Sequence, residues 1–194
     1  MHARFLVAVA LVVGGLVLSL GVNAADRVPV KAGAATLSPQ NTKIQFVCAH
    51  VAADPMPRKG GFAKFNGKAE IDAATKTLTS LDVDIETASL WTEFDMLTNH
   101  LKSADFFEVR RFPTAHFEST KIEPSSSGTT QITGKLTLHG VTKEIKFPAT
   151  VEIDSQGLKL RSEFTIDRSE FGMNYDPKKV ENKVSLTVVV GEKS

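Results

Sequence analysis

The sequence predicts an all-β protein: eight antiparallel strands closed into a barrel, with one short helix between two of them. Three observations carry this. Apolar and polar residues alternate with a period of two through most of the chain after Thr42. Short links rich in Asp, Ser, Thr and Gly join the alternating runs. One stretch, residues 92–107, breaks the alternation and shows helical spacing instead.

The runs follow in order. Ile44, Phe46 and Cys48 alternate with Lys43, Gln45 and Val47, and Phe65, Gly67, Ala69 and Ile71 alternate with Asn66, Lys68 and Glu70. Leu81, Val83 and Ile85 oppose Asp82, Asp84 and Glu86. Ala115, Phe117 and Ser119 face one way, and His116, Glu118 and Thr120 the other. Ile132, Gly134, Leu136 and Leu138 form the next dry face, followed by Ile145, Phe147, Val151 and Ile153, where Pro148 implies an edge or bulge. Leu158, Leu160, Phe164 and Ile166 come next, and Val184, Leu186, Val188 and Val190 last. Asp72-Ala73-Ala74-Thr75 and Asp154-Ser155-Gln156-Gly157 read as hairpin links, and Ser125-Ser126-Ser127-Gly128 as a polar tip. Strands with one dry face each and no edge to spare close naturally into a barrel.

In residues 92–107, Phe94, Leu97 and Leu101 share a helical face, Thr92 stands where a cap is needed, and Glu93 and Asp95 suit the positive end of the helix dipole. Residues 168–182, with Phe171-Gly172-Met173, Tyr175 and Asp176-Pro177, are irregular and read as a flap.

Residues 1–24 read as a secretory signal peptide: Arg4 in a short n-region, an apolar run from Phe5 to Leu20, then Val22-Asn23-Ala24 with small residues at the cleavage positions. Residues 25–41 read as an N-terminal arm and 42–194 as the barrel domain. The expected location is therefore the periplasm or the exterior, with no membrane-spanning segment in the mature chain. Loss of Arg4 takes the formal charge from +1 to balance, which gives no reason to expect nucleic acid as a partner. Cys48 is the single cysteine, so no internal disulfide exists, and its place on a dry face makes it a small core residue.

Tests for catalytic chemistry fail. Among His2, His50, His100, His116 and His139, none lies at metal-ligand spacing to another His or to Cys48. No G-x-S-x-G elbow is present. Asp82, Asp84 and Glu86 read as the wet face of a strand. No cofactor and no metal is expected. A protein that grips a long hydrocarbon needs no reactive group, because each buried methylene contributes about 0.8 kcal/mol.

Several segments, in order, resemble the YceI-like family. They are Phe46-x-x-x-His50, Gly61-Phe62-Ala63-Lys64-Phe65-Asn66-Gly67, Ser89-Leu90-Trp91-Thr92 and Leu101-Lys102-Ser103-Ala104-Asp105-Phe106-Phe107. Phe112-Pro113-Thr114-Ala115-His116-Phe117-Glu118-Ser119 and Phe164-Thr165-Ile166-Asp167-Arg168-Ser169-Glu170-Phe171-Gly172-Met173 add to them. The most specific is Gly134-Lys135-Leu136-Thr137-Leu138-His139-Gly140-Val141-Thr142-Lys143. The resemblance implies a lipocalin-like eight-stranded barrel, a periplasmic or secreted protein, and as ligand a polyisoprenoid of the quinone or prenyl-phosphate type or a similar long amphiphilic lipid.

A long ligand is expected to thread between the barrel wall and the helix. Wall candidates are Phe46, Phe65, Ile85, Phe117, Leu136 and Leu138. Lid candidates are Trp91, Leu97, Leu101, Phe106, Phe107, Phe171 and Met173. His50 is placed to meet a head group, the alternative being a satisfied core histidine. Arg168 is placed to meet a phosphate or quinone oxygen, the alternative being a structural pair with a carboxylate. The favoured function is a non-catalytic carrier or scavenger. The rivals are an enzyme acting on the bound isoprenoid through His50, Arg168 or Asp105, and an envelope-stress module with a filled barrel. A homodimer through an outer face is compatible with the pattern, without a clear exposed apolar patch to mark it.

Overall fold

The computed structural model describes residues 27–51, 56–125 and 128–191. The expected signal peptide lies outside the described residues.

The chain forms one antiparallel sheet of eleven strands: β1 (Ala34–Leu37), β2 (Thr42–Cys48), β3 (Arg58–Phe62), β4 (Phe65–Asp72), β5 (Thr77–Glu86), β6 (Leu90–Thr92), β7 (Thr114–Pro124), β8 (Thr129–Leu138), β9 (Val141–Asp154), β10 (Gly157–Asp167) and β11 (Lys183–Val190). The helix α1 (Asp95–Lys102) lies between β6 and β7, and 3-10 turns occupy Thr87–Ser89 and Arg168–Phe171. Sheet order is β1-β4-β5-β7-β8-β9-β10-β11-β2-β3-β6.

The eight expected strands are all present, and the three additional ones have local causes. β3 and β4 are the two arms of one bent strand, broken only at Ala63 and Lys64, and β5 and β6 are bent likewise at Thr87–Ser89. Hydrogen bonds from Ala63 N to Ser89 O and from Glu86 N to Lys64 O carry the pairing across both bends. Because β3 pairs with β2 while β5 pairs with β7, the bent pair turns the sheet back on itself around a single core. β1 lies within the stretch expected as an arm and pairs with β4. Its few residues carry too little alternation to read from sequence.

Curling is incomplete between β9 and β10. Their ladder runs only from Gly157↔Asp154 to Arg161↔Thr150. Just beyond it stands Pro148, whose carbonyl accepts from Ser162 Oγ at 2.6 Å. A strand residue's N and C=O point to the same side, so the missing Pro148 N–H is the one that β10 would have used. The edge expected at Pro148 is real.

α1 is shorter than the helical spacing predicts. Phe94 is its N-cap and makes no side-chain cap bond. Thr92 instead ends β6 and holds Thr98 Oγ1 at 2.9 Å, so it joins the helix to the strand rather than capping it. The links behave as their chemistry dictates: Asp72 Oδ1 accepts from Ala74 N and Thr75 N, and Asp154 Oδ1 from Gln156 N. Gly140 takes the positive φ of 75° required by the tight β8–β9 turn. No helix among the described residues is long and apolar enough to cross a membrane.

Candidate functional site

The dry faces of the strands do not meet at the centre. They surround a cavity of about 290 Å³, at the lower limit of small-ligand sites. The wall is built from alternate residues of successive strands: Phe46 on β2, Ile85 on β5, Phe117 on β7, and Leu136 and Leu138 on β8. α1 borders one end with Leu97 and Leu101, and the turn after it adds Phe106 and Phe107. Met173 completes the cover from the segment after β10.

Glycine sets the depth of this wall. A Cβ on Gly134 would lie 2.5 Å from the Phe117 ring, so the missing side chain lets that ring lie flat against β8. Aromatic contacts tie the wall together. Phe117 meets Phe147 at 5.5 Å, and Phe147 stacks on Phe164 at 4.3 Å with 11° between planes. That stack stands at the seam where β9 and β10 part.

Three expected contributors lie elsewhere. Phe65 is buried beside the bend, where it begins β4, and does not line the cavity. Trp91 points outward on β6 and covers Gly61 from the outside, because the bend at Thr87–Ser89 resets which face looks inward. Phe171 is fully buried in the turn Arg168–Phe171, behind the cavity cover. Phe62, Phe147 and Phe164 line the cavity without having been singled out. The last two stand on dry faces as legible as that of Phe117.

Polar groups gather at the mouth. His50 is exposed there and bridges through its backbone to Val180; it is not a core histidine. Arg58, His100, Tyr175, Lys179 and Glu181 share the rim. His100 Nε2 lies 2.9 Å from Asp105 Oδ2, and its ring meets Phe106 and Tyr175 edge-on.

Arg168 is buried beneath this rim. Among the described residues it binds no carboxylate, so the structural pair that the sequence left open as the alternative is not formed. Its guanidinium donates to four backbone carbonyls: Glu181 from Nε (3.1 Å), Met173 from Nη1 (2.6 Å), and Tyr175 and Val180 from Nη2 (2.7 and 3.0 Å). Burial pushes its pKa down, and the charge of Asp167 opposes that shift. The segment expected as a flap is thus fastened by one side chain. Burial likewise pushes the Cys48 thiol up, against its backbone hydrogen bond and the charges of Arg168 and Arg58.

Asp82, Asp84 and His116 converge on the outer face of β5 and β7, with donor atoms within 4.8 Å of one another. A divalent cation needs such spacing. The group lies outside the cavity, and His116 Nδ1 is already 2.9 Å from Asp84 Oδ1. Strand pairing brings the three together, which spacing along the chain does not reveal.

A family model described as YceI-like domain matches residues 36–191. A UPF0312 protein of Pseudomonas putida is 41% identical over 91 residues, 47% of this chain and 47% of that protein. The chain spans about half the length of the first such relatives. Among solved structures, BcnA of Burkholderia cenocepacia superposes with a TM-score of 0.69 at 25% identity, covering 77% of this chain and 94% of that one. A polyisoprenoid binding domain from Saccharophagus degradans, implicated in plant cell wall breakdown, gives a TM-score of 0.63 at 14% identity, covering 84% and 100%. At that identity the likeness is one of fold. With four-fifths of its length matched in order, the chain belongs to the family of YceI-like domains.

Proposed function

We propose that the cavity holds one long apolar chain of the polyisoprenoid type, with its polar end at the rim, and that the protein carries or scavenges such lipids in the cell envelope after export. The observation that carries this reading is the segregation inside the barrel. The wall is hydrocarbon from Phe46 to Leu138, and the charged groups stand at one end. An amphiphile with a long tail and a small head matches that order. The Saccharophagus domain of the same fold, described as polyisoprenoid binding, supports the ligand class. The leader-like residues 1–24 support an exported location.

The reading is non-catalytic. Arg168 is committed to four carbonyls, Asp105 is engaged with His100, and His50 stands exposed at the rim. The test is mass spectrometry of protein purified from its native envelope, first intact and then after solvent extraction. A stoichiometric polyprenyl species released on denaturation is the expected result. Empty protein that also refuses added polyprenols overturns the reading. A change in ligand mass that disappears in His50→Ala would make the protein an enzyme instead.

A further inference from the structure

The exposed large hydrophobic residues are not scattered. Among the described residues they are Val51, Met56, Trp91, Phe94, Met96 and Tyr175; five belong to the mouth end of the barrel, and Trp91 lies on the outer face of β6 one residue before Thr92, which is bonded to Thr98 of α1. Met96 is 87% exposed and Phe94 51%, on the turn of α1 next to Leu97, which points into the cavity. Phe94 carries the Arg58 guanidinium over its ring at 5.0 Å, and Arg58 lines the mouth. Met56 lies two residues before Arg58. Val51 follows His50 and is fixed by its N–H to Lys179 O at 2.9 Å. Tyr175 meets the His100 ring edge-on at the rim. The opposite end, made of the β4–β5, β7–β8 and β9–β10 links, shows no such residue among those described.

We infer that this rim is a membrane-docking surface: the mouth seats on a phospholipid bilayer, with Phe94, Met96 and Met56 inserted and Trp91 and Tyr175 at the head-group level. The inference rests on the lipid-carrier reading for its purpose, but its surface argument is independent. Large exposed apolar side chains concentrated in one place mark an interaction surface. Trp and Tyr are the side chains that favour a membrane–water interface, where one end is apolar and the other wet. The charges single out the kind of bilayer. Arg58, Lys59 and Lys179 are offset by Glu93, Asp105, Asp176 and Glu181, with Lys179 Nζ held 3.1 Å from Asp176 Oδ2. Without a cationic excess the surface gains little from anionic lipid, so insertion rather than charge attraction holds it. A docked mouth also lets a water-insoluble chain pass between bilayer and cavity without crossing water.

The protein contains its own reporter, since Trp91 is its only tryptophan. Full-length processed protein is mixed with phosphatidylcholine vesicles. Expected are a blue shift of Trp91 emission, quenching by lipids labelled near the head group, and co-sedimentation that changes little when anionic lipid is added. Phe94→Ser with Met96→Ser should lower partitioning on the order of tenfold or more, as loss of two inserted apolar side chains requires. Neither residue lines the cavity, so cargo content by mass spectrometry and the thermal midpoint should stay as in the wild type. Absence of any shift or co-sedimentation in the wild type overturns the inference, as does equal partitioning of the double variant. A rim-to-rim dimer, seen by sedimentation velocity and dispersed by the same substitutions without vesicle binding, assigns the surface to a second copy and overturns it too. Protein that docks yet holds and accepts no polyprenol sinks the carrier reading and leaves the docking surface standing.

Discussion

Arg168 has more consequence for this molecule than any other single side chain. Its four carbonyl bonds hold residues 173–181 over the cavity. Arg168→Met leaves those acceptors without their donor and should lower stability by about 3 kcal/mol in urea titration, since each unsatisfied buried acceptor costs on the order of 1–3 kcal/mol. Arg168→Lys keeps a charge but loses the planar fork, so it should recover only part of the loss. A full recovery would show that charge alone matters. Cys48 gives a pH-dependent counterpart. The folded thiol holds its proton more tightly than the unfolded one. Any stability tied to it is therefore intact below the unfolded thiol's pKa and declines as pH rises through the folded value. Between neutral pH and about pH 10 the wild type should lose stability relative to Cys48→Ala, and a constant difference would contradict the burial argument. Of these two environments, the sequence showed only that Cys48 sits on a dry face. The carbonyls around Arg168 belong to an irregular loop whose path no periodicity encodes.

At the scale of elements, the seam between β9 and β10 is the weak line of the sheet. Ser162 Oγ fastens its end through Pro148 O, and the Phe147–Phe164 stack closes the gap. Ser162→Ala should cost about 1 kcal/mol and should speed hydrogen exchange in β10 beyond Arg161 more than in β8. Uniform exchange across both strands would show that the seam is no weaker than the rest. Gly134→Ala belongs to this scale as well, because it pushes Phe117 off β8 and should destabilise by about 1–3 kcal/mol. Pro148 and the alternation around it announced an edge in advance. The bends that split β3 from β4 and β5 from β6, the second of which turns Trp91 outward, did not announce themselves, because a short bent strand has too few residues to establish a period.

For the molecule as a whole, an open cavity means that stability and occupancy are linked. A ligand that binds only the folded barrel adds roughly 2.7 kcal/mol when present at a hundredfold excess over its Kd. Solvent-extracted protein should therefore melt below protein purified with its cargo, and added polyprenol should restore the difference in a concentration-dependent way. Phe117→Trp separates an open barrel from a filled one. In a cavity the larger ring is accommodated with little loss of stability while polyprenol uptake falls, whereas a packed core would be strained and destabilised. The described residues contain no disulfide to mask either effect.

The sequence alone determined the class of fold, the eight principal strands, the faces that turn inward, and the family. Each of these rests on local periodicity or on ordered motifs, which a linear chain displays in full. Twelve of the fifteen residues it nominated do stand around the cavity, since dry-face alternation and helical spacing choose a side correctly. Tertiary structure decided the rest. It set which dry faces leave a space, where Phe65, Trp91 and Phe171 fall outside it, and what Arg168 binds. It also gathered Met56, Phe94, Met96 and Tyr175 into one rim. Cavities, bends and rims are made by segments far apart in the chain meeting in space, and no repeat along the sequence records that meeting.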